Sequence, residues 1–393
     1  MQFKTYLFSL FVAWVLIGNS QPPELSPLSK VSVLTVGTAD ELHSKFGHSA
    51  IRLQDPTIGL DIVYNYGLFD FDDPNFYVKF TRGKLDYRLG RQRFQDFLQN
   101  YRLENRWVRE QMIKLTEEQR SELFQFLENN HLPENRYYKY DFLFDNCSTR
   151  VPDALKTVLG ASWTLKYDHL DTLYTFRELI HQNLTINSWS NFGIDLALGS
   201  VIDRQATPWE HMFLPIYVFK QLPFSSIDGK PMVYSESELL AELPSKSNSN
   251  FLRSPLFWLL LLLLLVIGIT IRDALHRKRT AWLDFLLFFV TGAAGSLILF
   301  LWFATDHQAT KMNFNVFWAF APNLAVAFLL FKDRFPKWFT QYLWVLVGLL
   351  LTTLLLWVLE IQIFSPLILF LLGALMIRYL FLVKKSRELT ENV

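Results

Sequence analysis

The sequence predicts an α+β domain, an antiparallel sheet with helices, followed by an all-α transmembrane bundle of five helices. Three observations carry this. At 393 residues the chain is too long for one compact core. Its residues are 51% hydrophobic and 19% charged, against about a quarter charged in globular chains, and the apolar residues pile up after Ser254 while the region before it has ordinary soluble composition. Short β-rich runs with turn signals between them occupy residues 28 to 67, and helical periodicity follows.

Residues 1–20 read as a signal peptide or N-terminal anchor. Lys4 supplies a positive start, Tyr6 to Ile17 form an apolar run too short to span a bilayer comfortably, and Gly18 and Ser20 are small residues where a signal peptidase needs them. Either reading carries the next domain, residues 21–230, across the membrane. VSVLTV, HSAIRL and DIVYNYG read as strands. QDPTIGL, with Asp55-Pro56 and Gly59, turns between the last two, which predicts an antiparallel hairpin placing His48 opposite a residue near Asn65 or Tyr66. PNFYVKFTRGKLDYRLG predicts a helix and then a strand. RFQDFLQNYRLENRWVREQMIKL mixes both periods and decides for neither. Thr116, followed by Glu117 and Gln119, opens a helix running to Asn130 with Leu123, Phe124, Phe126 and Leu127 on one side. Asn146 or Ser148 can cap a helix through Ala154, Leu155 and Val158 towards Gly160. Pro152 requires that helix to start late, because proline is comfortable only in a first turn. Further helix and loop follow, and residues 231–253 read as a polar linker.

Residues 254–385 predict five spans, at 255–271, 283–304, 314–331, 339–359 and 362–383, with 386–393 as a tail. The connections RDALHRKRT and KDRFPK, and the KKSR at the last span's end, are basic and alternate with weakly charged ones. That assigns the basic segments and the C-terminus to the cytoplasm and the N-terminal domain to the outside. Gly292, Ala293, Ala294 and Gly295 form a small-residue patch suited to close helix packing.

A formal net charge of +1 gives no reason to expect a nucleic-acid partner. The single cysteine, Cys147, excludes an internal disulfide. Without H-x-x-x-H spacing or partner cysteines, neither a metal nor a cofactor is expected. A lone cysteine is more often a buried small hydrophobe than a working thiol. Here, however, YDFLFDNCSTRVPD sets Cys147 at a helix start, where free N–H groups and the helix dipole favour a thiolate. A nearby histidine can take the thiol proton and return it to a leaving group, and His48 in FGHSAIRL is the candidate. Asn65 is the candidate to orient the imidazole, and N–H groups around Cys147 could form an oxyanion hole. Each has a plainer reading: a structural strand histidine, turn or cap roles for Asn65 and Asp145, and an Arg150–Asp145 surface pair. His307, in TDHQATKMNFN on the outer side, is either an interfacial loop residue or a second wall of the site, flanked by Trp302, Phe314, Phe317 and Trp318 as an aromatic belt.

FGHSAIRL, VYNYGLFDF, RGKLDYRLG, YDFLFDNCSTR and LGSVIDRQATPWEHMFLP resemble the Lnb N-terminal periplasmic domain family of Bacteroidota over most of residues 30–220. The multi-span tail with TDH…NFN resembles the same family, the lipoprotein N-acyltransferases. The resemblance implies a permuted papain-like fold of the lecithin–retinol acyltransferase type, in which a strand histidine precedes a helix cysteine. It implies Cys147 as nucleophile and His48 as its base, a phospholipid acyl donor, a lipoprotein acceptor, and residence in a bacterial inner membrane. Where the retinol-type enzymes carry a second histidine on the next strand, this chain has Tyr64, Asn65 and Tyr66. Tyr64, Tyr66, Asp145, Arg150 and His307 are then the expected substrate contacts. Two other readings stay open: a cell-envelope Cys–His amidase or peptidase with a polar cleft, and a non-catalytic lipid-binding protein with an inert thiol.

Overall fold

β-rich runs buried on both faces, Lys30–Val36 (β1), His48–Asp55 (β2) and Leu60–Leu68 (β3), give three neighbouring antiparallel strands, with Val33 opposite Ile51 and Ile51 opposite Tyr64. The computed structural model describes residues 23–391 except 40, 42–43, 71, 244–249 and 333. The expected signal or anchor at 1–20 lies outside the described residues. The helix and strand expected after the hairpin are Phe76–Thr81 (α1) and Asp86–Arg93 (β4), and the run of mixed period resolves into helix Phe94–Leu103 (α2) and strand Val108–Ile113 (β5). β5 escapes a period-2 reading because Glu110 and Gln111 are both buried. Glu110 accepts from Ser32 Oγ at 2.6 Å and Arg52 Nη1 at 2.9 Å, and Gln111 Nε2 donates to Phe219 O at 2.9 Å.

Helix Glu117–His131 (α3) starts on the expected capping box, Thr116 Oγ1 accepting from Gln119 N and Gln119 Oε1 from Thr116 N. Tyr137–Lys139 (β6) closes one edge of the sheet. Helix Arg150–Leu159 (α4) begins late, which leaves Pro152 in its first turn, where a missing N–H costs nothing. Trp163–Leu165 (β7) belongs to a small second sheet. Helices Phe176–His181 (α5), Trp189–Ala197 (α6) and Pro215–Gln221 (α7) follow, then Ser225–Ile227 (β8) and Lys230–Pro231 (β9), which complete that small sheet. Val233–Leu240 (β10) pairs antiparallel with β5. This part of the expected 231–253 linker is therefore a strand, and its exposed polar residues Ser235 to Glu238 suit a sheet edge. The main sheet runs β10-β5-β1-β2-β3-β4-β6, antiparallel throughout. One face (Val31, Val33, Ile51, Leu53) packs with Leu123 and Phe124 of α3 and Val151 and Leu155 of α4. The other (Leu34, Val36, Ala50, Val63) packs with Phe94 and Phe97 of α2.

The C-terminal region is helical: Pro255–Leu275 (α8), Ala281–Phe303 (α9), Asn323–Val326 (α10), Trp338–Val358 (α11) and Ile368–Glu391 (α12). Among the described residues α8, α9 and α11 are long and apolar enough to cross a membrane. Residues 314–331, expected as one span, form no continuous helix. Two 3-10 stretches, Phe314–Val316 and Ala327–Phe331, flank α10. Pro322 lies just before α10, and the buried Asn323 is held by side chains of other elements, donating to Thr291 Oγ1 at 3.1 Å and accepting from Tyr342 OH at 2.5 Å. The small-residue patch explains the close approach of this segment: a Cβ on Gly292 would lie 2.1 Å from Leu324 N, and one on Gly295 1.7 Å from Ala319 O. Arg378 of α12 is fully buried and paired with Asp273 at 2.9 Å and Asp284 at 2.5 Å, so its charge is compensated inside the bundle.

The loop after α9 is stitched to the N-terminal domain on two sides. Asp306 N donates to Arg82 O at 2.9 Å, beside α1. Gly199 N donates to Ala309 O at 2.9 Å, Ser200 N to Met312 O at 3.0 Å, and Asn313 Nδ2 to Leu196 O at 2.8 Å, all beside α6. Behind that seam Arg177 is buried, with Asp195 at 2.9 Å and Asp203 at 2.6 Å, tying α5 to α6 and the segment after it.

Candidate active site

Period-2 geometry places His48, at the start of β2, on the same sheet face as Ala50, and Asn65 on the same face as Val63. His48 Nε2 lies 2.5 Å from Asn65 Oδ1. An amide oxygen only accepts, so Nε2 carries the proton and Nδ1 is left as the basic nitrogen. The Tyr101 ring of α2 sits 6.2 Å from the imidazole.

Cys147 sits in the turn leading into α4. The buried Asn146 shapes that turn with all of its amide: Oδ1 accepts from Ser148 N at 2.7 Å and Thr149 N at 3.0 Å, and Nδ2 donates to Phe142 O at 2.7 Å and Phe213 O at 3.0 Å. Ser148 Oγ donates to Met212 O at 2.8 Å. These bonds leave Cys147 pointing at the ends of β2 and β3. Its sulfur faces the backbone N–H of Ser49, the residue after His48. On β3, Gly67 has φ +89°, and a Cβ there would stand 3.3 Å from Cys147 Cβ. Only glycine allows both the backbone conformation and the approach.

Burial pushes the Cys147 thiol up to about 11, opposed by the N–H groups of Ser49, Cys147 and Ser148 and by the charge of Arg106. Burial also drives His48 down to about 4, against the Asn65 hydrogen bond, with the Arg106 charge adding to the fall. At neutral pH both groups are therefore uncharged at rest. The two are not a standing thiolate–imidazolium pair.

Cys147, His48 and Asn65 all line one cavity of about 490 Å³. Its walls are largely apolar and aromatic, including Phe46, Leu68, Phe69, Phe80, Leu85 and Phe142, and its far side is the loop Asp306–Thr310 of the membrane region. His307 is part of this wall. Its Nε2 donates towards Phe80 O and Thr81 O, both at 3.2 Å, so it clasps the loop to α1 as well as facing the cavity. The other expected contacts fall elsewhere. Alternation along β3 turns Tyr64 and Tyr66 to the opposite face from Asn65, where Tyr64 OH donates to Glu128 and Tyr66 OH accepts from Asn130 Nδ2 at 3.1 Å. Arg150 and Asp145 pair with each other, Nη2 to Oδ2 at 2.6 Å, and the Arg150 guanidinium lies 4.3 Å from the Tyr138 ring centre. None of these four lines the cavity. Two residues that do, Tyr101 and Arg106, come from the stretch whose mixed period hid its structure.

An α+β domain that offers a Cys–His–Asn group to a cavity walled by its own membrane region defines a membrane-bound envelope protein with a thiol-centred site. Residues 24–182 match the model of the Lnb N-terminal periplasmic domain, and residues 246–388 that of the Lnb transmembrane domain. The chain belongs to the Lnb family, with a periplasmic N-terminal part and a transmembrane C-terminal part. No curated protein and no solved structure matches it.

Proposed function

We propose that the chain is a lipoprotein N-acyltransferase that carries the acyl group on Cys147. The carrying observation is the joint cavity: a thiol and a neutral imidazole in an apolar chamber, one wall of which is the membrane-region loop Asp306–Thr310. In the first half-reaction Cys147 Sγ attacks an ester carbonyl of a phospholipid while its proton passes to His48 Nδ1. The ester C–O bond breaks, the imidazolium protonates the departing alkoxide, and a lysophospholipid leaves a thioester behind. In the second, the α-amine of a diacylglyceryl-cysteine lipoprotein attacks the thioester and gives a proton to His48. The C–S bond breaks, and the thiolate recovers that proton. Asn65 holds the ring with Nδ1 free to take the thiol proton, and the backbone N–H groups at Cys147 and its neighbours bind the oxyanion of both tetrahedral intermediates.

The same reading takes the N-terminal domain as a permuted papain-like fold and the tail as five crossings, with the broken 314–331 segment as the third. It sets the protein in the inner membrane with a cytoplasmic C-terminus. An apolar chamber at the membrane boundary suits two lipid substrates that never leave the bilayer. It does not suit a peptidase, which needs a polar cleft, and a thiol opening on a cavity does not suit an inert structural cysteine. The test is mass spectrometry of one lipoprotein from cells carrying the Cys147→Ala chain. A free N-terminal amine is expected, and normal N-acylation would overturn the proposal.

A further inference from the structure

We propose that Arg106 anchors the acyl donor, its guanidinium binding the phosphate of a zwitterionic phospholipid whose ester lies at Cys147. This rests on the acyl-transfer reading for the ester, but the anion site itself stands on Arg106. The side chain is 5% exposed and lines the cavity. Nε donates to Gly37 O at 2.7 Å and Nη1 to Glu104 at 2.9 Å, while the guanidinium rests 4.9 Å from the Tyr101 ring centre. These contacts fix its plane and position. Nη2 is different: it is buried and has no hydrogen-bond partner among the described residues.

A cationic N–H buried without an acceptor is costly, so Nη2 is a donor that an anionic ligand in the cavity would satisfy. Glu104 does not discharge the cation, since its carboxylate is half-exposed and screened by water. The planar fork of arginine fits phosphate oxygens, which an ammonium group matches less well. Position agrees. The Tyr101 ring that carries the guanidinium is the one beside His48, and the Arg106 charge is felt at both His48 and Cys147. A phosphate held at Arg106 therefore lies in the same cavity as the reacting pair, as a phosphoglyceride with its ester at the thiol requires. The same cavity wall carries two further carboxylates, Asp141 and Asp306. That surplus of negative charge suits a headgroup whose phosphate is balanced by an ammonium over one that is net anionic.

The test uses the full chain in detergent with Cys147→Ala, so that ligand binds without reacting. Dioctanoyl phosphatidylethanolamine and dioctanoylglycerol are titrated with and without Arg106→Gln. Loss of one charge-assisted contact should weaken the phospholipid by about tenfold or more, with dioctanoylglycerol changed by less than about twofold. Equal effects on both ligands, or on neither, would overturn the proposal. So would inorganic phosphate alone binding as tightly as the phospholipid, which would make this a free-phosphate site. Arg106→Lys, which keeps the charge and loses the fork, should fall between the two and serves if the glutamine variant does not fold. Failures are separable. Arg106-dependent phospholipid binding without any acyl release by the Cys147-intact chain would leave the anchor standing and remove the acyltransferase reading. Acyl transfer with Arg106-independent binding would do the reverse.

Discussion

Cys147 should behave as a weakly acidic thiol and not as a resting thiolate. At pH 7 a thiol pushed up to about 11 is ionised in about one molecule in ten thousand, a gap of roughly 5 kcal/mol. His48, held at about 4, supplies no positive charge to close that gap at neutral pH. The perturbation is pH and the assay is iodoacetamide alkylation of the full chain, followed as the modified Cys147 peptide. The rate should climb about tenfold per pH unit from 7 to 10 without levelling. A plateau between pH 6 and 8 would mean a standing thiolate–imidazolium pair and would refute the reasoning. Acyl transfer should show the companion effect, because His48 acts only when neutral. Its acid limb should fall near pH 4 rather than near the ordinary histidine value of 6.5. Stability follows the same shifts. The unfolded chain takes up the His48 proton first, so this group's contribution is present above 6.5 and lost as pH falls towards 4. The Cys147 contribution is present below 9 and lost as pH rises towards 11.

Asn65→Ala removes the acceptor on His48 Nε2 and should lower acyl-transfer kcat/KM by about 10- to 100-fold, with the protein still folded; an unchanged rate would remove Asn65 from the site. Gly67→Ala forces a side chain into a positive-φ position against Cys147 and should cost about 1–3 kcal/mol of stability together with most of the activity, read by thermal unfolding and turnover. Arg177→Met strands the buried carboxylates of Asp195 and Asp203, and should lower stability by about 3–5 kcal/mol; an unaltered unfolding midpoint would show that the network is not needed.

The sequence made some of this legible and hid the rest for physical reasons. The β2–β3 hairpin was readable because Asp55-Pro56 and Gly59 punctuate two short β-rich runs, and with it came the meeting of His48 and Asn65. The late start of α4 followed from Pro152 alone. The mutual pairing of Asp145 and Arg150 was the plain reading, and it is the one the structure contains. Tyr64 and Tyr66 could have been excluded as cavity contacts by alternation, since choosing Asn65 for one face sends both neighbours to the other. Arg106 and Tyr101 were beyond reach, because β5 buries Glu110 and Gln111 against polar partners and so breaks the period that marks a strand. The broken 314–331 segment was hidden by its composition. Hydropathy counts its Phe, Leu and Val, whereas the buried bonds of Asn315 and Asn323 decide its shape.

The central claim is a covalent acyl group on Cys147, and mass spectrometry of the intact chain can see it. The full-length protein is incubated with a phospholipid of known chain length and no lipoprotein acceptor, then quenched in acid. The account expects a mass increase equal to one acyl chain, mapped to the Cys147 peptide, released by hydroxylamine and absent in His48→Ala. An unmodified Cys147 in protein that goes on to acylate added lipoprotein would contradict it.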